Sequence, residues 1–275
     1  MRKISTLIVL AICLFSFAGA FAAKDASKDE FPGRKEFPKV PYIELEDLAK
    51  QLNDVIVVDA RSALEFETLQ IKGAINIPVA GKTFEEEVAK LRATTDKPIV
   101  FYCNGHTCMK SYHAVQKAMD YNIKNTFAYD AGIFEWTKAH PDQAVLLGQS
   151  PVNLAHLIPK KEFHKRFLDP DKFSDQATSP ANKTMVLDVR DKYQRAGIGF
   201  YPGKERWASL DEKDKLRKYI KKAIDQKQTL MIYDEVGKQV RWLQYELEKA
   251  GAKDYYFMAK GAHGYFKALE AWDKK

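Results

Sequence analysis

Cysteine is scarce in this chain: Cys13, Cys103 and Cys108 are the only three in 275 residues. A disulfide-stapled scaffold needs more cysteines, better separated, so the close pair Cys103 and Cys108 reads as local and chemical. Long apolar runs are nearly missing too. The one near the start, from Ile4 to about Phe17, is short for a stable transmembrane span. No basic stripe interleaved with aromatic residues occurs, so the formal charge of +7 reads as solvated surface and nucleic acid is not an expected partner. No His directly follows Cys108, which argues against covalent haem attachment.

What is present begins with an address. Met1-Arg2-Lys3, the apolar run and the small residues Ala18-Gly19-Ala20-Phe21-Ala22 have the layout of a cleaved export signal over residues 1–22. The expected location is therefore outside the cytoplasm, in a bacterial periplasm, with the membrane met only through that signal. Cys13 leaves with the leader, and loss of Arg2 and Lys3 takes the charge from +7 to +5. A charged, Pro-containing stretch over 23–39 is expected to be flexible. The remainder is long enough for two ordinary domains.

Two stretches of the chain follow one order of elements. The first, 40–140, runs through a strand-like Val55 to Ala60, Gly73 to Pro78, an acidic helix around Phe84 to Arg92, a strand Pro98 to Tyr102 leading to Cys103, a helix from Lys110, a strand Thr126 to Tyr129 and a helix after Gly132. The second, 156–275, repeats the order with a helix Lys160 to Leu168, a strand Thr184 to Val189, a helix Leu216 to Asp225, a strand Thr229 to Tyr233, a helix Lys238 to Ala250, a strand Tyr255 to Met258 and a helix after Gly261. Asp59-Ala60-Arg61 precedes Cys103 by 44 positions, and Asp188-Val189-Arg190 precedes Asp234 by 46. Short Val- and Ile-rich runs alternating with longer helices predict two α/β units, each a mostly parallel sheet with helices on both faces. Pro141 to Ala155, with its Pro, Gly, Ser and Asn, reads as the linker 141–155.

In open α/β sheets ligands bind beyond the carboxyl ends of the strands. Cys103 stands at such an end, followed by a polar loop and then Lys110-Ser111 opening a helix. Loop N–H groups and the positive helix end would favour a thiolate there, or hold an anionic sulfur donor. A strand ending in Tyr-Cys, a basic residue plus Ser at the helix start, Asp59, Arg61 and Glu65 in the pattern Asp-x-Arg-x-x-x-Glu, and Gly-Ala-Ile-Asn-Ile-Pro together resemble a rhodanese domain. The resemblance covers nearly all of 40–140 and, more weakly, 155–272.

That resemblance implies a cofactor-free and metal-free sulfurtransferase. Sulfane sulfur would pass from a small anionic donor such as thiosulfate or mercaptopyruvate, through a Cys103 persulfide, to a thiol or cyanide-like acceptor. By the same resemblance Cys103 is the nucleophile, Asn104, Gly105, His106, Thr107, Met109 and Ser111 line the substrate, and Lys110 is the cation closing the loop. Asp59, Arg61 and Glu65 are expected to organise the fold. The usual loop of the family places four residues between its Cys and an Arg, whereas six separate Cys103 from Lys110. Lys is a poor geometric substitute for the Arg that related phosphatases fork onto phosphate.

Cys108 admits three readings: a small packing residue, a resolving thiol that closes a disulfide with Cys103 and releases hydrosulfide, or a zinc ligand with Cys103, His106 and His113. The tight spacing argues against the metal. In the second copy the cysteine position is Asp234, which cannot carry sulfane sulfur. That unit reads as a degenerate copy kept for stability or closure, or as a docking surface for an acceptor protein that the sequence does not name. Two other functions remain open, a periplasmic thiol-disulfide or sulfur-carrier protein using Cys103 and Cys108, and a non-catalytic anion-binding module.

Overall fold

The computed structural model describes residues 31–197 and 199–272; the export signal expected over residues 1–22 lies outside the described residues. The alternating facing of side chains along each strand explains the layers. In β1 (Ile56–Asp59) and β4 (Ile99–Tyr102), Val57, Val100 and Tyr102 face one apolar cluster, while Val58, Ile99 and Phe101 face another. Burial on both faces is why these strands read as unbroken apolar runs.

Before β1 come α1 (Pro32–Glu36) and α2 (Leu45–Lys50). After it the first unit continues through α3 (Ala63–Thr68), β2 (Leu69–Ile71), β3 (Ile75–Asn76), α4 (Phe84–Arg92), β4, α5 (Lys110–Asp120), β5 (Thr126–Tyr129), α6 (Gly132–Ala139) and β6 (Ala144–Leu146). Its main sheet has the order β3-β1-β4-β5, parallel throughout.

The second unit comprises α7 (Lys160–His164), β7 (Phe167–Leu168), α8 (Pro170–Thr178), β8 (Thr184–Asp188), α9 (Lys192–Arg195), β9 (Glu205–Trp207), α10 (Lys213–Asp225), β10 (Thr229–Tyr233), α11 (Val240–Lys249), β11 (Tyr255–Met258) and α12 (Gly261–Trp272). Its five strands, ordered β7-β11-β10-β8-β9, are also parallel. The fold is thus α/β, with parallel sheets flanked by helices.

Three local expectations change. Residues 31–39, placed by the sequence in a flexible segment, form α1 and pack down: Phe31 is buried, and Arg34 bonds to both Glu44 and Asp130. Gly33 sits so close to the Tyr112 ring that an added Cβ would lie 2.2 Å from it. Part of the linker is structural, because β6 pairs antiparallel with β2. The predicted helix Lys160 to Leu168 stops at His164, and Phe167 and Leu168 become the edge strand beside β11.

The units share one core. The cluster holding Val57, Val100 and Trp136 also holds Leu187, Leu230 and Trp242. Polar contacts cross the boundary as well: the Ala63 N–H donates to Asp211 at 2.9 Å, and Lys213 pairs with Glu67.

Candidate active site

The site is built on a strand end. All four residues of β4 are buried, and Cys103 follows them with no exposed surface. Its carbonyl accepts the Ile133 N–H at 3.0 Å, tying the loop to the start of α6. Gly132 makes that approach possible: its φ is +74°, and a Cβ there would meet the Gly105 backbone at 2.3 Å. No L side chain fits such a contact without moving the chain.

Behind the loop lies a buried ionic frame. Asp59 Oδ1 accepts the Arg61 backbone N–H and its Nε, both at 2.9 Å. Arg61 reaches on to Asn104 Oδ1 at 3.2 Å, and Asn104 donates to Glu65 Oε1 at 2.8 Å. The other oxygen of Glu65 caps α3 through Ser62 and faces the Lys110 ammonium at 3.7 Å. Burial alone would raise the Glu65 pKa, but Lys110, Arg61 and the Asn104 bond hold it below the ordinary value. Burial works against the Lys110 charge, yet Glu65, Cys108, Asp191 and Asp211 together raise its pKa. Both groups are therefore ionised.

The two thiols divide unequally. Cys103 Sγ lies 3.1 Å from the Cys108 carbonyl oxygen and 3.5 Å from Ser111 Oγ, at the closed floor. Burial, and then the adjoining Cys108, push its pKa well up. The neighbouring Cys103 thiol lowers the Cys108 pKa to about 7 despite burial, helped by the Lys110 charge and the N–H groups of Asn104 and Lys110. The sequence reading has Cys103 as the nucleophile; Lys110 and the amides of Asn104 and Lys110 favour the charged form of Cys108 beside it.

The remaining loop residues spread outward. His106 lies tilted against Phe31 with ring centroids 4.3 Å apart, and Met109 packs against the cluster beneath α5. His113 meets Phe37 edge-on at 5.0 Å. Thr107 receives a bond from Lys238 of the second unit at 2.5 Å. Among the described residues no group of three or more His, Cys, Asp or Glu is arranged to hold a metal ion.

A cavity of about 1060 Å³ opens over this loop, lined by Asn104 to Lys110 from the first unit and by Lys160, Lys238, Arg241 and Lys260 from the second. Cys108 is in its wall and Cys103 is not. The sequence reading missed the second unit's share. The repeat register carried a signal for it, since Arg241 follows Asp234 by seven positions as Lys110 follows Cys103.

The second loop mirrors the first in its backbone. The Ala262 N–H donates to the Asp234 carbonyl at 2.8 Å, as Ile133 does to Cys103. Arg190 donates through its backbone N–H (3.1 Å) and Nε (3.0 Å) to Asp188, as Arg61 does to Asp59. The Asp234 carboxylate fills this loop, accepting the N–H groups of Gly237, Gln239 and Val240, the last at 3.0 Å.

Comparison with known proteins agrees with the first unit. Residues 44–139 match the family described as Rhodanese-like domain. A stretch of 90 residues is 36% identical to an HTH-type transcriptional regulator of Mycobacterium tuberculosis, covering 33% of this chain and 38% of that relative's length. Among solved structures, a Bacillus halodurans protein is 24% identical over 48% of this chain and 95% of its own, with a TM-score of 0.36. A thiosulfate sulfurtransferase from Pseudomonas aeruginosa is 15% identical over 86% of this chain and 67% of its own, also with a TM-score of 0.36. The match to the Rhodanese-like domain thus falls on the first unit, and the chain spans little more than a third of the curated relative's length.

Proposed function

We propose that this protein is a sulfurtransferase that moves sulfane sulfur from a small anionic donor to a thiol or cyanide-like acceptor through the Cys103–Cys108 loop. The observation that carries the reading is the position of Cys108. Cys108 lines the cavity with Lys110, and that cation and the amides of Asn104 and Lys110 favour its charged form.

The first step is attack by the Cys108 thiolate on the outer sulfur of thiosulfate. The S–S bond breaks, sulfite leaves with the electron pair, and Cys108 carries a persulfide. An acceptor thiolate or cyanide then takes the outer sulfur and returns Cys108 as thiolate. Lys110 and the amides of Asn104 and Lys110 hold negative charge throughout.

Cys103 supports a second course. Once deprotonated it can attack Cys108 Sγ, expelling hydrosulfide and leaving a Cys103–Cys108 disulfide; a thiol reductant must then return two electrons. The buried Cys103 sulfur, 3.1 Å from the Cys108 carbonyl oxygen, supports this as a slower branch.

The signal over 1–22 gives the setting, an exported protein working in a bacterial periplasm. The second unit, 156–275, is read as a degenerate copy, with Asp234 where a nucleophile would stand.

The test is intact-mass analysis of reduced protein after exposure to thiosulfate. Wild type and Cys103→Ser should gain one sulfur and release thiocyanate on adding cyanide, and Cys108→Ser should gain none. A gain retained in Cys108→Ser and lost in Cys103→Ser would return the nucleophile to Cys103, as the family resemblance implies. No gain in any of the three would end the sulfurtransferase reading.

A further inference from the structure

The chain ahead of the family's matched region, which begins at residue 44, meets three separate parts of the site. Phe31 is buried, and its ring lies tilted against His106 at the tip of the reactive loop. Arg34 forks onto Asp130 through Nε at 2.8 Å and Nη2 at 3.1 Å, while its Nη1 donates to Glu44 at 2.9 Å. The same guanidinium lies over the Phe31 ring at 4.1 Å and the Tyr42 ring at 3.8 Å. Phe37 stacks on Tyr112 at 5.6 Å and meets His113 edge-on, both in the first turn of α5.

Asp130 connects these contacts to the loop. It follows β5, its side chain is 1% exposed, and it also accepts the Tyr112 hydroxyl at 2.5 Å. The next two residues, Ala131 and Gly132, are packed directly on Gly105. A Cβ at Gly105 would lie 3.1 Å from the Ala131 carbonyl oxygen, and one at Gly132 would lie 2.3 Å from the Gly105 nitrogen. Backbone packed this closely passes a displacement on, because there is no free space to absorb it.

A desolvated Arg–carboxylate pair adds little net stability, and its bidentate geometry is better suited to fixing one arrangement. The loop has a use for such fixing. The Lys110 charge and the N–H groups of Asn104 and Lys110 favour the charged form of Cys108, and both effects weaken with distance.

We infer that residues 31–37 are a positioning strap for the reactive loop: Arg34, through Asp130, holds the backbone on which Gly105 packs, and Phe31 holds His106, so that Cys108 keeps its place in the loop. Neither Phe31 nor Arg34 lines the cavity, so the strap acts on the loop and not on a bound molecule. The placement of the thiol stands on these contacts alone, whereas its consequence for turnover rests on the sulfurtransferase reading.

The test follows iodoacetamide alkylation of reduced full-length protein against pH, with the modified cysteine located by peptide mass. In the wild type Cys108 should react with a midpoint of about 7, and Cys103, which has no exposed surface, far more slowly. Arg34→Met should raise the Cys108 midpoint by roughly half a unit or more and speed Cys103 alkylation roughly tenfold. Phe31→Leu should move both in the same direction by less. Phe173→Leu, in a separate apolar cluster of the second unit, is the destabilised control and should move neither. Should Arg34→Met fail to fold by circular dichroism, Phe31→Leu decides alone. An unmoved midpoint and rate in the folded strap variants would overturn the inference, as would an equal change in the control. Sulfur loading from thiosulfate, followed by mass in the same samples, keeps the two readings apart. A wild type that takes up no sulfur, beside strap variants whose thiols still shift, sinks the transferase and upholds the strap. A wild type that loads, beside variants whose thiols do not move, does the opposite.

Discussion

The loops after β4 and β10 share a backbone plan and differ in what fills it. Each follows a buried strand, is tied to the next helix through a Gly of positive φ, and rests against an Asp–Arg pair. In the first, Cys108 from the middle of the loop occupies the ring of amides. In the second, the Asp234 carboxylate from the strand end does so. A loop that points its N–H groups inward must satisfy them. The occupant decides the rest: a thiolate can bond to sulfur and release it, whereas a carboxylate only closes the loop.

The sharpest way to break the comparison is Asp234→Ala. Three inward N–H groups would lose their acceptor, for a loss of about 3 kcal/mol at roughly 1 kcal/mol or more each. Urea denaturation should show it, and a change under about 0.5 kcal/mol would mean that the carboxylate does not hold the loop. Burial raises the Asp234 pKa more than its amide bonds lower it. Its stabilising contribution is therefore fully present below the ordinary Asp value of about 3.9 and declines as pH rises through the elevated one. The gap between wild type and Asp234→Ala should narrow across that window.

Next in size is Lys110→Met. Cys108 loses a cation that holds its pKa near about 7, so the pH midpoint of its alkylation by iodoacetamide should move up by roughly one unit. An unmoved midpoint would assign the activation to the amides and Cys103 alone.

Smallest is Lys238→Ala. It removes the exposed bond to Thr107 across the boundary, and stability should stay within about 0.5 kcal/mol of wild type. A larger loss would mean that this contact, and not the shared core, joins the units.

Much of the architecture was legible because buried parallel strands and amphipathic helices write periodic patterns, and both central strand pairs fall where those patterns put them. Short elements were not. β9, with three half-buried residues, has no apolar run to announce it, and Phe167-Leu168 reads as the end of a helix until β11 is beside it. At the site, the strand end, the loop and Lys110 could be read directly from the residues. The unequal surroundings of the two thiols could not, because they depend on how the loop folds over the strand end. Arg241 and the wall around it come from a unit about a hundred residues distant, and only packing reveals them.

The pairing of β6 with β2 separates the family's boundaries from the folding unit's. The matched region ends at residue 139, yet Leu69 and Ile71 are sealed by a strand at 144–146, and Val152 is tied back to Pro141 at 2.8 Å. On the other flank, α1 lies over Tyr112 and His106. A fragment cut at the family's limits would present a bare sheet edge and an uncovered aromatic face, both invitations to aggregate. The smallest soluble piece of the first unit should therefore run from about Phe31 to beyond Val152, and during synthesis this unit can close only after that last stretch has emerged.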